Sequence, residues 1–107
     1  MDPKTYKVII TITPEHWEQA QKESDLYPNQ LPDHCVLAVA AREVWKSTDI
    51  RVGLLDICIG KQFKPEEIWT LDLRGQQLVT LFDTNWYDPN FKFDVSRFFS
   101  VALTRRK

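Results

Sequence analysis

Cys35-Val36-Leu37-Ala38-Val39-Ala40-Ala41 is a run of seven residues with no polar side chain, following directly on Asp33 and His34. A solvent-facing helix alternates apolar and polar residues with a period near 3.6, whereas this stretch is apolar on every side through its first two turns. It therefore reads as a central helix enclosed on all sides. Asp33 stands where an N-cap would, and Arg42, Glu43 and Lys46 restore a polar face toward Trp45, where the helix should emerge from the core.

The rest of the chain supplies the cover. Tyr6, Val8, Ile10 and Ile12 alternate with Lys7, Ile9 and Thr11, the period of a strand. Thr13-Pro14-Glu15 offers an N-cap, a proline at the first helical position and an acid in the first turn, so a helix runs from Pro14 to about Glu23, with Trp17 and Ala20 as its apolar stripe. Ser24 to Pro32 reads as a loop.

Beyond the central helix, Ile50 and Val52 share one parity and Leu55, Ile57 and Ile59 the other, with the change at Gly53, which predicts a bulge or a tight turn there. Gly60-Lys61 reads as a second turn and Glu66 to Leu71 as a short strand. Asp72 caps a helix carrying Leu78, Leu81 and Phe82 and ending near Thr84-Asn85, weakened in its first turn by Gly75. Trp86-Tyr87-Asp88-Pro89-Asn90 is an aromatic-bearing turn. Apolar residues at odd positions from Phe91 to Leu103 predict a long or bent closing strand, followed by a frayed basic tail, Thr104 to Lys107. The expectation is a single α+β domain spanning residues 1–107. It has a small, mostly antiparallel sheet of about three to five strands packed on the apolar helix, with two further helices.

Composition narrows the function classes. With 43% hydrophobic residues, four Trp, three Tyr and six Phe, the chain carries enough apolar surface for a core. Its net charge of −1 gives no global attraction to phosphate backbones or anionic membranes. Two cysteines make no disulfide framework, and no apolar stretch approaches the ~20 residues that cross a bilayer, so a reducing cytoplasm is the expected setting.

No assembled catalytic set is visible, and the chain is expected not to be an enzyme. A thiolate at Cys35, in the first turn of a helix, would need His16 or His34 as its base. Neighbours at i and i+1 on a helix do not face each other, and free cysteines usually behave as small hydrophobes. His16, His34, Cys35 and Cys58 lack the paired spacing of a zinc site, and Gly53, Gly60 and Gly75 are isolated rather than forming a phosphate loop, so neither a metal nor a cofactor is expected.

The strongest local signal is aromatic. Trp69, Trp86, Tyr87, Phe91 and Phe93 are interleaved with Lys61, Lys64, Arg74 and Lys92, a mixture found in protein hot spots and base-stacking surfaces. Trp69, Trp86, Tyr87 and Lys92 are accordingly the candidate partner-binding residues, with a protein as the favoured partner. Nucleic acid or a nucleotide, held by the same rings and the basic tail, is the alternative, and a small Cys-dependent enzyme a further one.

Several motifs resemble a loose group of small, mostly uncharacterised phage and prophage accessory proteins. They are Thr13-Pro14-Glu15-His16, Cys35-Val36-Leu37-Ala38-Val39-Ala40, Val52-Gly53, Phe82-Asp83 and Phe99-Ser100-Val101-Ala102-Leu103. This chain departs from the group at Val36, where proline is usual, and in the longer stretch from Thr84 to Arg97. The resemblance implies a phage accessory protein acting in the bacterial cytosol, which leads to the expectation of a module that inhibits or sequesters a host component such as a defence complex.

Overall fold

The computed structural model describes residues 5–47, 49–61, 64–94, 96 and 100–106. Strand β1 (Thr5–Thr11) leads through Thr13 into α1 (Pro14–Leu26). A short 3-10 turn (Pro28–Gln30) and the one-turn helix α2 (Leu31–His34) precede the apolar helix α3 (Val36–Trp45). Strands β2 (Ile50–Val52), β3 (Asp56–Lys61) and β4 (Lys64–Leu71) follow, then α4 (Leu73–Asn85) and the closing strand β5 (Ser100–Arg106). The strands form one five-stranded sheet in the order β1-β5-β4-β3-β2, every pairing antiparallel. The architecture is the expected α+β one.

The helices cover one face of the sheet. Helix α3 touches α1, α2, α4, β1 and β2, and Val36 to Ala41 are all buried. On the same side the strands contribute Ile10, Val101, Leu103, Leu71, Trp69, Ile57, Ile59, Ile50 and Val52. The uncharged first six residues of α3 are thus enclosed by apolar neighbours, which is the environment their sequence requires, while Arg42, Glu43 and Val44 emerge toward solvent.

Several boundaries differ from expectation. Asp33 does not cap α3: it lies inside α2, 3.6 Å from the Arg51 guanidinium, and the break falls at Cys35, whose extended backbone (ψ 168°) separates the two helices. At its other end α3 stops at Lys46, which takes the left-handed conformation (φ 52°) and donates its amide to the Arg42 carbonyl. Gly53 does begin a tight turn, its amide donating to the Asp56 carbonyl, and Leu54 and Leu55 are left exposed there. Gly60 is no turn residue. It lies within β3, where its amide donates to the Asp49 carbonyl and the Asp49 carboxylate occupies the place a Cβ would take.

The closing strand is shorter than its alternation suggests. Phe91 and Phe93 lie in irregular chain, β5 begins only at Ser100, and Val95 and Arg97 to Phe99 fall outside the described residues. The apolar character of Phe91 and Phe93 serves packing on Trp17 of α1 rather than a ladder. The basic tail is not frayed at its start either: Thr104 and Arg105 pair with Lys7 and Tyr6 of β1, while Lys107 is outside the described residues. Among the described residues no helix is long and apolar enough to cross a membrane.

Candidate functional site

Trp17 organises the surface on which two of the expected site residues stand. Its spacing from Ala20 turns both inward from α1, and its indole meets three phenyl rings. Phe93 is stacked at 4.5 Å, Phe91 at 5.3 Å, and Phe82 of α4 is edge-on at 5.1 Å. The chain leaving α4 is thereby folded back along α1. Gln21 adds a hydrogen bond from its side-chain amide to the Trp86 carbonyl, 3.2 Å long.

The turn between these anchors is held by its own polar groups. Trp86 ends α4 with its amide on the Phe82 carbonyl, the Asp88 amide donates to the Asn85 carbonyl, and the Asp88 carboxylate accepts from the Asn90 amide at 2.9 Å. An aspartate followed by proline and asparagine makes this local bonding available without help from the core. Trp86 is half-buried and Tyr87 is 66% exposed, the two rings meeting edge to face at 5.9 Å. Gln21, Lys22, Asp25, Trp86, Tyr87, Pro89 and Phe91 line an open depression of about 510 Å³. Lys92 is exposed between the two anchoring phenylalanines.

Trp69 is not part of this surface. Only 5% exposed, it packs edge-on against Trp45 at 5.5 Å, under the guanidinium of Arg105. Arg105 also covers the Tyr6 ring and pairs with Glu67 at 3.3 Å. A half-buried arginine between two rings and a carboxylate stabilises the sheet face, so Trp69 and Arg105 are corrected from candidate ligand groups to packing groups. Arg74 is exposed on the first turn of α4, and the side chains of Lys61 and Lys64 lie outside what is described.

The residues of the thiol alternative are also located. Cys35 is buried, and removal from water pushes its thiol up to about 12. Neither histidine is directed to it. The His16 Nδ1 accepts from the Thr13 amide while the Thr13 hydroxyl accepts from the His16 amide, a reciprocal cap with histidine at N3. That leaves the proton on Nε2, which donates to Glu43 at 2.9 Å.

His34 stacks on Tyr27 at 4.9 Å and shares the Glu23 carboxylate with Arg42. Burial raises the Glu23 pKa, but hydrogen bonds from His34, Gln19 and Arg42 outweigh it and hold the carboxyl below its ordinary value. This half-buried network joins α1, α2 and α3 and is not legible in the sequence, since Glu23, His34 and Arg42 fall in three elements with no shared spacing. Among the described residues no three His, Cys, Asp or Glu side chains are grouped to hold a metal ion. Comparison with protein-family models, curated proteins and solved structures finds no match.

Proposed function

We propose that this protein is a non-enzymatic binding module that captures a protein partner in the depression between α1 and the Trp86–Phe91 turn. The observation that carries the reading is the Tyr87 ring: largely exposed, set against Trp86, on a turn anchored through Phe91 and Phe93 to Trp17. Aromatic anchors with few rotatable bonds dominate protein hot spots. A turn already ordered before binding loses little further freedom when it docks.

The charges around the depression favour protein over nucleic acid. Among the residues lining it, the cation Lys22 is matched by the acid Asp25, whereas phosphate backbones are held by an excess of cations. The finer reading is a phage-encoded accessory protein that inhibits or sequesters a bacterial host component, such as a defence complex, in the host cytoplasm. The resemblance of the Thr13–His16, Cys35–Ala40 and Phe99–Leu103 motifs to small phage proteins supports it.

The test is capture from bacterial lysate on immobilised protein, followed by mass spectrometry, with wild type and Tyr87→Ala compared side by side. A specific host protein retained by wild type and lost with Tyr87→Ala, at unchanged circular dichroism, is the expected result. Retention of the same protein by both variants overturns the assignment of this surface.

A further inference from the structure

We propose that the face of the sheet turned away from the helices is an interface between two copies of this chain. Cross-strand pairing places Lys7, Thr104, Thr70 and Asp56 in one row across β1, β5, β4 and β3. On one side of this row Ile9 stands beside Ala102, and on the other Ile68 stands beside Cys58 and Arg51. Ile9 and Ile68 are each 54% exposed. The centre of the face is made of short side chains, Thr104, Thr70 and Ala102, which allow a second sheet to approach to the usual ~10 Å.

Charge order identifies the occupant. The row is neutral in the middle and charged only at its ends, Lys7 at one and Asp56 at the other, and neither forms an ion pair among the described residues. A second copy turned about a two-fold axis parallel to the strands, passing between β4 and β5, sets β1 over β3 and β3 over β1. Lys7 of each protomer then meets Asp56 of the other, so one rotation forms two ion pairs. The same rotation brings Ile9 over the end of the partner's β3, beside the exposed Leu54 and Leu55. Such self-complementarity is what an isologous interface requires.

Four strands at ~4.8 Å spacing and roughly seven residues in length give a footprint of roughly 400 Å² on each protomer. Doubled to roughly 800 Å² for the pair, this is below the size of stable specific interfaces and in the range of weak, transient ones, so the association is reversible. In the pair, the two Tyr87 surfaces belong to the outer helix layers and stay accessible.

Sedimentation velocity on the full chain, from low micromolar to several hundred micromolar, tests the proposal. Wild type should pass from monomer to dimer over that range. Lys7→Glu and Asp56→Lys, each alone, should weaken the dimer by at least about tenfold, because each places like charges at both contacts. An equimolar mixture of the two variants should restore it as a mixed dimer with both contacts of opposite sign, which also demonstrates that both variants are folded. A wild type that stays monomeric throughout, a dimer indifferent to both substitutions, or a mixture that fails to recover association overturns the proposal; an open face would then be left to water or to another protein.

Discussion

The indole of Trp17 lies nearly parallel to the ring of Phe93, with centroids 4.5 Å apart and planes 10° apart. This contact ties the chain after α4 to the first helix, and the display of Tyr87 depends on it. Phe93→Ala should lower stability by about 2 kcal/mol, less than the ~3–5 kcal/mol of a fully buried phenylalanine because the ring is only half covered. Urea unfolding gives the loss, and near-ultraviolet circular dichroism should show the Trp17 environment relaxing. If both stayed at wild-type values, the stack would contribute nothing to holding the turn.

Gly75 sits where β5 crosses the start of α4. An added Cβ would come within 2.7 Å of Cγ1 of Val101, a fully buried side chain that would have to shift to admit it. Alanine gains about 1 kcal/mol over glycine in a helix, while overpacking a tight contact costs about 1–3 kcal/mol. Gly75→Ala is therefore expected to destabilise despite its better propensity. A higher midpoint in thermal unfolding would contradict the close approach.

Glu23 accepts from both His34 and Arg42 at a site where its side chain is only 12% exposed. Glu23→Gln should cost about 1–3 kcal/mol at neutral pH, because His34, Arg42 and Gln19 all lose a charged acceptor. The folded carboxyl titrates below its ordinary value of 4.5, so the unfolded chain takes up the proton first as pH falls. The wild-type advantage should thus be full above that value and shrink as pH drops through the lower, folded one. Equal differences between the variants at pH 3 and pH 7 would refute the linkage.

Cys35 should resist alkylation in the native protein. With burial raising its thiol to about 12, roughly one molecule in ten thousand carries the thiolate at pH 8. Peptide mapping after iodoacetamide treatment should show Cys35 reacting far more slowly than in the urea-unfolded chain. The same shift has a stability consequence. Above the ordinary value of 9.0 the unfolded state releases a proton that the folded state retains, so stability declines from there toward pH 12. Rapid native labelling at Cys35 would reinstate a reactive thiol.

Local patterns were most legible where one rule governed one element. Thr13-Pro14 starts α1 as its residues dictate, the Asp72 carboxylate accepts from the Gly75 amide to begin α4, and Val36 to Ala41 are enclosed as their uniform apolarity demands. Readings failed where a distant residue supplied the reason. Gly60 resembles a turn glycine until the Asp49 carboxylate is seen in its Cβ position. The alternation from Phe91 onward resembles a strand until Phe91 and Phe93 are found on Trp17.

The aromatic surface divides in the same way. Trp86 and Tyr87 were readable as an outward turn because Asp88, Pro89 and Asn90 impose local geometry, whereas Trp69 carries no neighbour in sequence that announces Trp45 and Arg105. By itself the sequence determined the α+β class, the enclosure of Val36 to Ala41 and the two capped helix starts, because periodicity and capping act over a few residues. Only the tertiary structure decided the strand order, the Glu23-His34-Arg42 junction and which rings meet water, because those follow from contacts between residues far apart in the chain, whose partners no local pattern encodes.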